Sequence, residues 1–208
     1  MSGLIFYTNP QSRGRIVHWM LEELGEPYET QWINYGEEMK SAAYRAVNPM
    51  GKVPAIRHNG AVITETPAIC TYLAMQFPEK KLIPSQGDPR LADFTRWMFF
   101  AAAPLEMATT ARSLGWEVAK EREGMVGFGN YVEAINALDL ALAKGPYICG
   151  EQFTAVDVYL GSALMWGMQF GTIDKRDLFV QYVSRLTSRP AALNANRLNE
   201  ERIASQAK

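Results

Sequence analysis

The hydrophobic period changes twice within the first stretch of this chain, and that change restricts the fold more than any other feature. Leu4-Ile5-Phe6-Tyr7 is a short apolar run closed by the turn-forming Thr8-Asn9-Pro10, and it reads as a buried strand. From Arg13 the spacing becomes helical: Ile16, Val17, Met20, Leu21 and Leu24 share one face, and Gly25 supplies the stop. Tyr28, Thr30 and Trp32 then alternate with polar residues, as in a second strand. Strand–helix–strand favours a parallel pair joined by a right-handed crossover.

The spacing next predicts a helix over 37–47. Beyond the segment Asn48-Pro49-Met50-Gly51-Lys52-Val53-Pro54, two β-prone runs, Ala55–His58 and Ala61–Thr64, flank Asn59-Gly60. Asn-Gly in that position is a hairpin signal, because both residues tolerate the positive φ of a tight turn. Thr66-Pro67 then reads as a helix N-cap followed by proline, with Ile69, Tyr72, Leu73 and Phe77 as the buried stripe. The expected order for residues 1–80 is therefore βαβαββα.

Residues 81–88 lie in a stretch rich in Pro, Gly, Lys and Asp and read as a linker. Residues 89–208 carry only helical periodicity, with helices expected over 90–110, 119–143, 154–170, 175–188 and 190–204, the first kinked at Pro104. The fold class is α/β followed by an all-α domain. A net charge of −1 gives no electrostatic footprint for nucleic acid or an anionic membrane. No apolar stretch is long enough to span a bilayer, and the first residues lack the organisation of a signal peptide. Two cysteines, Cys70 and Cys149, stand far apart and suggest a reducing, cytoplasmic setting. With two histidines they form no metal-ligand spacing.

Four places could carry chemistry. Val53-Pro54 enters a strand with a residue that cannot donate to the sheet. A cis bond there would expose the Val53 backbone for pairing with an extended peptide. A trans loop proline is the commoner case, since only about 5–6% of X-Pro bonds in folded proteins are cis. Glu65-Thr66 at a helix start offers a hydroxyl and free N–H groups to a carboxylate and an acid to an ammonium group. A plain helix cap explains the same residues. Thr8, Asn9 and Ser12 lie in the first strand-to-helix turn, near the positive end of a helix that could stabilise a thiolate. Capping of that helix is the bland alternative. Thr154 and Asp157 have capping-box spacing and read as structural.

Taken together, Asn48-Pro49-x-Gly51-Lys52-Val53-Pro54, then Glu65-Thr66-Pro67-Ala68-Ile69, then Phe153-Thr154-Ala155-Val156-Asp157 resemble the soluble glutathione transferases, bacterial members in particular. The resemblance spans essentially the whole chain and implies a thioredoxin-like first domain. It further implies that Val53 pairs with the cysteinyl backbone of glutathione and that Pro54 is cis. Glu65 and Thr66 would hold the γ-glutamyl end, with Lys52 near the glycyl end. Where cysteine-type bacterial members carry a cysteine, this chain has Ser12, so Ser12, Asn9 and Thr8 stand together as candidates for thiol activation. Phe100, Met107, Trp116 and Trp166 are candidate walls of an apolar pocket for a small hydrophobic electrophile. The resemblance implies glutathione as co-substrate, no tightly bound cofactor, no metal, a homodimer and a role in detoxification. Conjugation is the leading expectation. Glutathione-dependent reduction of disulfides or peroxides, and a non-catalytic interaction module, are the alternatives.

Overall fold

The computed structural model describes residues 3–206. It divides into two compact units, one of Met1–Lys80 with Ser188–Lys208, the other of Lys81–Thr187.

The first unit is built on a four-stranded sheet. The strands are β1 (Leu4–Thr8), β2 (Glu29–Trp32), β3 (Ala55–His58) and β4 (Ala61–Thr64), in the order β2-β1-β3-β4. β1 and β2 are parallel, with Thr8 opposite Trp32, as the strand–helix–strand pattern predicts. β3 runs antiparallel to β1, with Tyr7 opposite Ala55, and the Asn59-Gly60 turn returns the chain along β4, with Ala55 opposite Thr64. Both turn residues hold positive φ, 50° and 86°. The crossover α1 (Gly14–Leu24) buries Ile16, Val17, Met20, Leu21 and Leu24, and packs on β1 and on α4 (Thr66–Gln76). A separate apolar cluster of Tyr7, Ile33, Met39, Tyr44 and Ala55 is flanked by Ile5, Val47 and Val53.

The single helix expected over 37–47 is two short ones, α2 (Glu37–Lys40) and α3 (Ala42–Arg45). Ser41 breaks them. Its ψ of 154° leaves the helical region, and its hydroxyl accepts the Tyr44 N–H to start the second turn.

The second unit is helical. α5 (Arg90–Phe100) passes through one π-helical turn, Ala101–Leu105, into α6 (Glu106–Leu114). Pro104 lies in that turn, where its missing N–H and its ring forbid a regular α-helical ladder. The helix expected over 119–143 forms only in its second half, as α7 (Tyr131–Leu142), after a 3-10 turn at Lys120–Met125. Gly124, Gly127 and Gly129 each disfavour helix by about 1 kcal/mol. Asn130 then caps α7 by accepting the Glu133 N–H at 2.9 Å. α8 (Ala155–Phe170) is buried along most of its length and packs on α5 and α9 (Asp177–Thr187). The residues read as a linker are not all free: the Leu82 carbonyl, on a buried residue, accepts the Ala155 N–H at 2.7 Å.

The expected second domain, 89–208, includes one helix that groups elsewhere. α10 (Pro190–Gln206) belongs to the first unit, where it lies along α1. Ion pairs Arg189–Glu23 and Arg15–Glu200 fasten it, with hydrogen bonds from Asn194 to Glu22 and between Asn199 and His18. No helix among the described residues is long and apolar enough to cross a membrane.

Candidate functional site

The register of the sheet gathers three of the four sequence signals at one end. Tyr7 faces Ala55 and Ala55 faces Thr64, so the residues just beyond them share an edge. Thr8 and Asn9 lie at the end of β1, Val53-Pro54 at the start of β3, and Glu65-Thr66 between β4 and α4. In open sheets of this kind, ligands bind outside the carboxyl ends of parallel strands, where loops and helix N-termini converge. Thr154 and Asp157 lie in the other unit, where they form a complete capping box at α8.

The turn after β1 separates its three candidates. Thr8 is fully buried, and α1 starts so close above it that a Cβ on Gly14 would come within 1.9 Å of its hydroxyl oxygen. Only glycine permits that approach. Asn9 spends both ends of its amide: Nδ2 donates to the Ile33 carbonyl at 2.9 Å, and Oδ1 accepts the Gln11 N–H at 3.0 Å. Ser12 is half-buried, and its hydroxyl donates to the Asn9 carbonyl at 2.7 Å and accepts the Gly14 N–H at 2.9 Å. Of the three, Ser12 alone combines a hydroxyl with access to solvent.

Val53-Pro54 is cis. Pro54 is buried, Val53 half-buried and Lys52 exposed. No hydrogen bond among the described residues engages the Val53 backbone N–H or carbonyl. The loop before it is held from below. The Lys52 carbonyl accepts from Tyr44 Oη at 2.8 Å and from Asn48 Nδ2 at 2.7 Å. Lys40 Nζ donates to the carbonyls of Met50 and Gly51 at 3.2 and 2.7 Å. Burial pushes the Tyr44 hydroxyl well above its ordinary pKa, aided by the neighbouring Tyr7, so it stays a donor. Lys40 and Tyr44 were missed in the sequence because they sit in the weakly periodic 37–47 segment, where nothing local marks them.

At the third position the cap differs from expectation. Glu65 occupies the N-cap and Thr66 is the first helical residue. Glu65 holds φ 67° and ψ 115°, a conformation that side-chain-bearing residues avoid at a cost of about 1–3 kcal/mol. Its side chain makes no capping bond. Thr66 is 6% exposed, and Pro67 brings no N–H. The first turn of α4 therefore presents the Thr66 and Ala68 amides, a hydroxyl and an exposed carboxylate together, the set that an α-amino acid head satisfies.

The proposed electrophile residues are spread over the helical unit. Phe100 ends α5, in edge contact with Trp97 at 5.0 Å, and Met107 stands on α6. Trp116 follows α6 and Trp166 lies on α8. Met107 and Trp116 are 45% and 58% exposed, and no ring contact among the described residues links the four. No group of three or more metal-ligating side chains occurs among the described residues.

Comparisons with known proteins bear on the family and the fold. Residues 12–76 match the family described as "Glutathione S-transferase, N-terminal domain", and residues 117–166 match "Glutathione S-transferase, C-terminal domain". The chain is 29% identical over 171 residues to glutathione S-transferase 3 of Schizosaccharomyces pombe, covering 74% of this chain and 70% of that protein. It is 27% identical over 154 residues to glutathione S-transferase GstA of Escherichia coli O157:H7, covering 73% and 76%. Among solved structures, a glutathione transferase from Methylococcus capsulatus superposes with a TM-score of 0.78 at 26% identity, covering 95% of this chain and 98% of that one. A sphingomonad glutathione S-transferase complexed with glutathione gives 0.74 at 25% identity, covering 94% and 98%.

Proposed function

We propose, from the premise that the chain belongs to the soluble glutathione transferase family, that it transfers the glutathione sulfur to small apolar electrophiles. The observation that carries this reading is the alignment of Ser12, Val53 and Glu65-Thr66 at one sheet end. Neighbouring strands are about 4.8 Å apart, so the ends of β1, β3 and β4 together span about 10 Å. An extended tripeptide is about 10 Å long.

In this reading glutathione lies across those three ends. Its γ-glutamyl carboxylate meets the first turn of α4 and the Thr66 hydroxyl, and its ammonium group meets Glu65. The cysteinyl backbone pairs with Val53, and the glycyl carboxylate lies near Lys52. The sulfur then faces the β1–α1 turn. There the Ser12 hydroxyl turns its proton from the Asn9 carbonyl to the sulfur and favours the thiolate. A free thiol has a pKa of about 8.5, and each unit by which the site lowers it corresponds to about 1.4 kcal/mol. The thiolate attacks the electrophilic carbon, the C–S bond forms, and the leaving group departs with its electron pair. Phe100, Met107, Trp116 and Trp166 are the proposed apolar contacts for the electrophile. Acting as a homodimer in detoxification belongs to the same proposal.

The test is calorimetric titration with glutathione, followed by stopped-flow absorbance at about 240 nm to detect thiolate. Saturable binding with a thiolate signal at neutral pH, and turnover of an aryl chloride, is the expected result. Binding with turnover of mixed disulfides alone would make the protein a reductase. Absence of binding would remove the enzyme reading.

A further inference from the structure

We propose that Tyr44, a buried residue outside the glutathione contacts, is a positioning residue that aims the Val53 amide at the bound peptide. The inference rests on the glutathione reading of the site and explains how its central contact is oriented.

The argument is one of peptide planes. The Lys52–Val53 bond is trans, since Val53–Pro54 is the cis bond among the described residues. In a trans peptide the carbonyl and the following N–H lie in one plane and point in opposite directions. The Lys52 carbonyl is turned inward by two donors, Tyr44 Oη at 2.8 Å and Asn48 Nδ2 at 2.7 Å. The Val53 N–H must then point outward, away from α3. It meets no acceptor among the described residues.

Tyr44 is suited to this task. It is 4% exposed and packed in the apolar cluster with Tyr7, Met39 and Ala55, against which Val53 itself rests. Its hydroxyl is thereby fixed by the core rather than by the loop. Asn48 is itself a loop residue, also bonded to the Met50 and Gly51 amides, so it moves with the segment it stabilises. Lys40 repeats the device one peptide earlier: it holds the Gly51 carbonyl, and the Lys52 N–H faces the opposite way. The weak helical segment 37–47 thus acts as a jig for the loop above it.

The experiment compares glutathione with an analogue whose cysteinyl–glycine amide is replaced by a carbon–carbon double bond. The analogue lacks the carbonyl oxygen that a Val53 N–H would engage. Calorimetry is run on the wild type, on Tyr44→Phe, which keeps the ring, and on Tyr28→Phe. Tyr28 donates to Glu22 at 2.6 Å, so its variant loses a tyrosine hydroxyl bond remote from the loop. The wild type should prefer glutathione by about tenfold, the worth of one well-aligned hydrogen bond. Tyr44→Phe should lose most of that preference, and Tyr28→Phe should retain it. An unchanged preference in Tyr44→Phe overturns the role of Tyr44 while glutathione binding stands. Equal binding of both ligands by the wild type overturns it too, since the Val53 amide is then unused. If the wild type binds neither ligand, the glutathione reading falls and this inference with it.

Discussion

The Tyr182 hydroxyl donates to Asp157 Oδ1 at 2.8 Å and ties α9 to the first turn of α8. Asp157 is fully buried and accepts three more bonds, from the Ile148 N–H, the Thr154 N–H and the Thr154 hydroxyl. Asp157→Ala removes the carboxylate acceptor from all four buried donors, leaving the Thr154 hydroxyl only its weak contact to Cys149 Sγ, and should lower stability by about 3–5 kcal/mol. Tyr182→Phe leaves the other three in place and should cost about 1–2 kcal/mol. Urea unfolding measures both, and equal losses would show that the network does not act through Asp157.

His18 should give the protein a stability slope in mildly acidic solution. It is 2% exposed, surrounded by Phe6, Tyr28 and Trp32, with Nδ1 3.0 Å from Asn199 Nδ2. Burial lowers its pKa and outweighs the opposing effects of Asn199 and Glu22, while Arg15 adds to the lowering. The folded state therefore binds this proton less readily than the unfolded chain. Its contribution is complete above the unfolded value of about 6.5 and is lost as pH falls below it. His18→Gln should flatten the stability profile between about pH 5 and 7. A slope unchanged in that variant would assign the effect elsewhere.

Turn substitutions should divide by role. Asn9→Ala strands the Ile33 carbonyl and the Gln11 N–H and should cost about 1–3 kcal/mol of stability. Ser12→Ala should leave the fold largely intact and raise the pKa of bound glutathione by about one unit, or about 1.4 kcal/mol. The thiolate absorbance measured against pH reads this directly, and an unaltered curve would remove Ser12 from the mechanism.

Glu65 combines a strained backbone with a proposed role in binding. Its φ of 67° suits glycine, so Glu65→Gly should stabilise the free protein by about 1 kcal/mol. The same change removes the proposed partner of the γ-glutamyl ammonium and should weaken glutathione binding about tenfold or more. Thermal unfolding and calorimetry on one variant test both halves. A variant with weaker binding and lower stability would contradict the strain argument.

Both cysteines should be inert in the native state. Burial pushes the thiols of Cys70 and Cys149 up to about 12. Iodoacetamide at about pH 8 should label neither until the protein is unfolded, because the thiolate is the reactive form. Mass spectrometry of the native and denatured protein decides this.

Much of the first unit was written locally. Period changes around Arg13 and Tyr28, the Asn59-Gly60 turn and the Pro67 helix start each act within a few residues, so the element order followed from them. The candidate site was legible to the same extent in one respect: Val53-Pro54 and Glu65-Thr66 are consecutive pairs, so the cis bond and the strained helix start each arise within two residues. Other features had no local signal. α10 buries little apolar surface, chiefly Ala195, and joins the first unit through pairings such as His18–Asn199 and Glu23–Arg189. Ser12, Asn9 and Thr8 were equivalent as letters. Ile33 on one side and the first turn of α1 on the other settled which hydroxyl reaches solvent. The Lys52 carbonyl is held by Tyr44, which belongs to another element. Periodicity and turn chemistry are short-range effects that the sequence carries explicitly. Hydrogen bonds between distant side chains exist only once packing has brought their partners together, and at those points the tertiary structure alone decided.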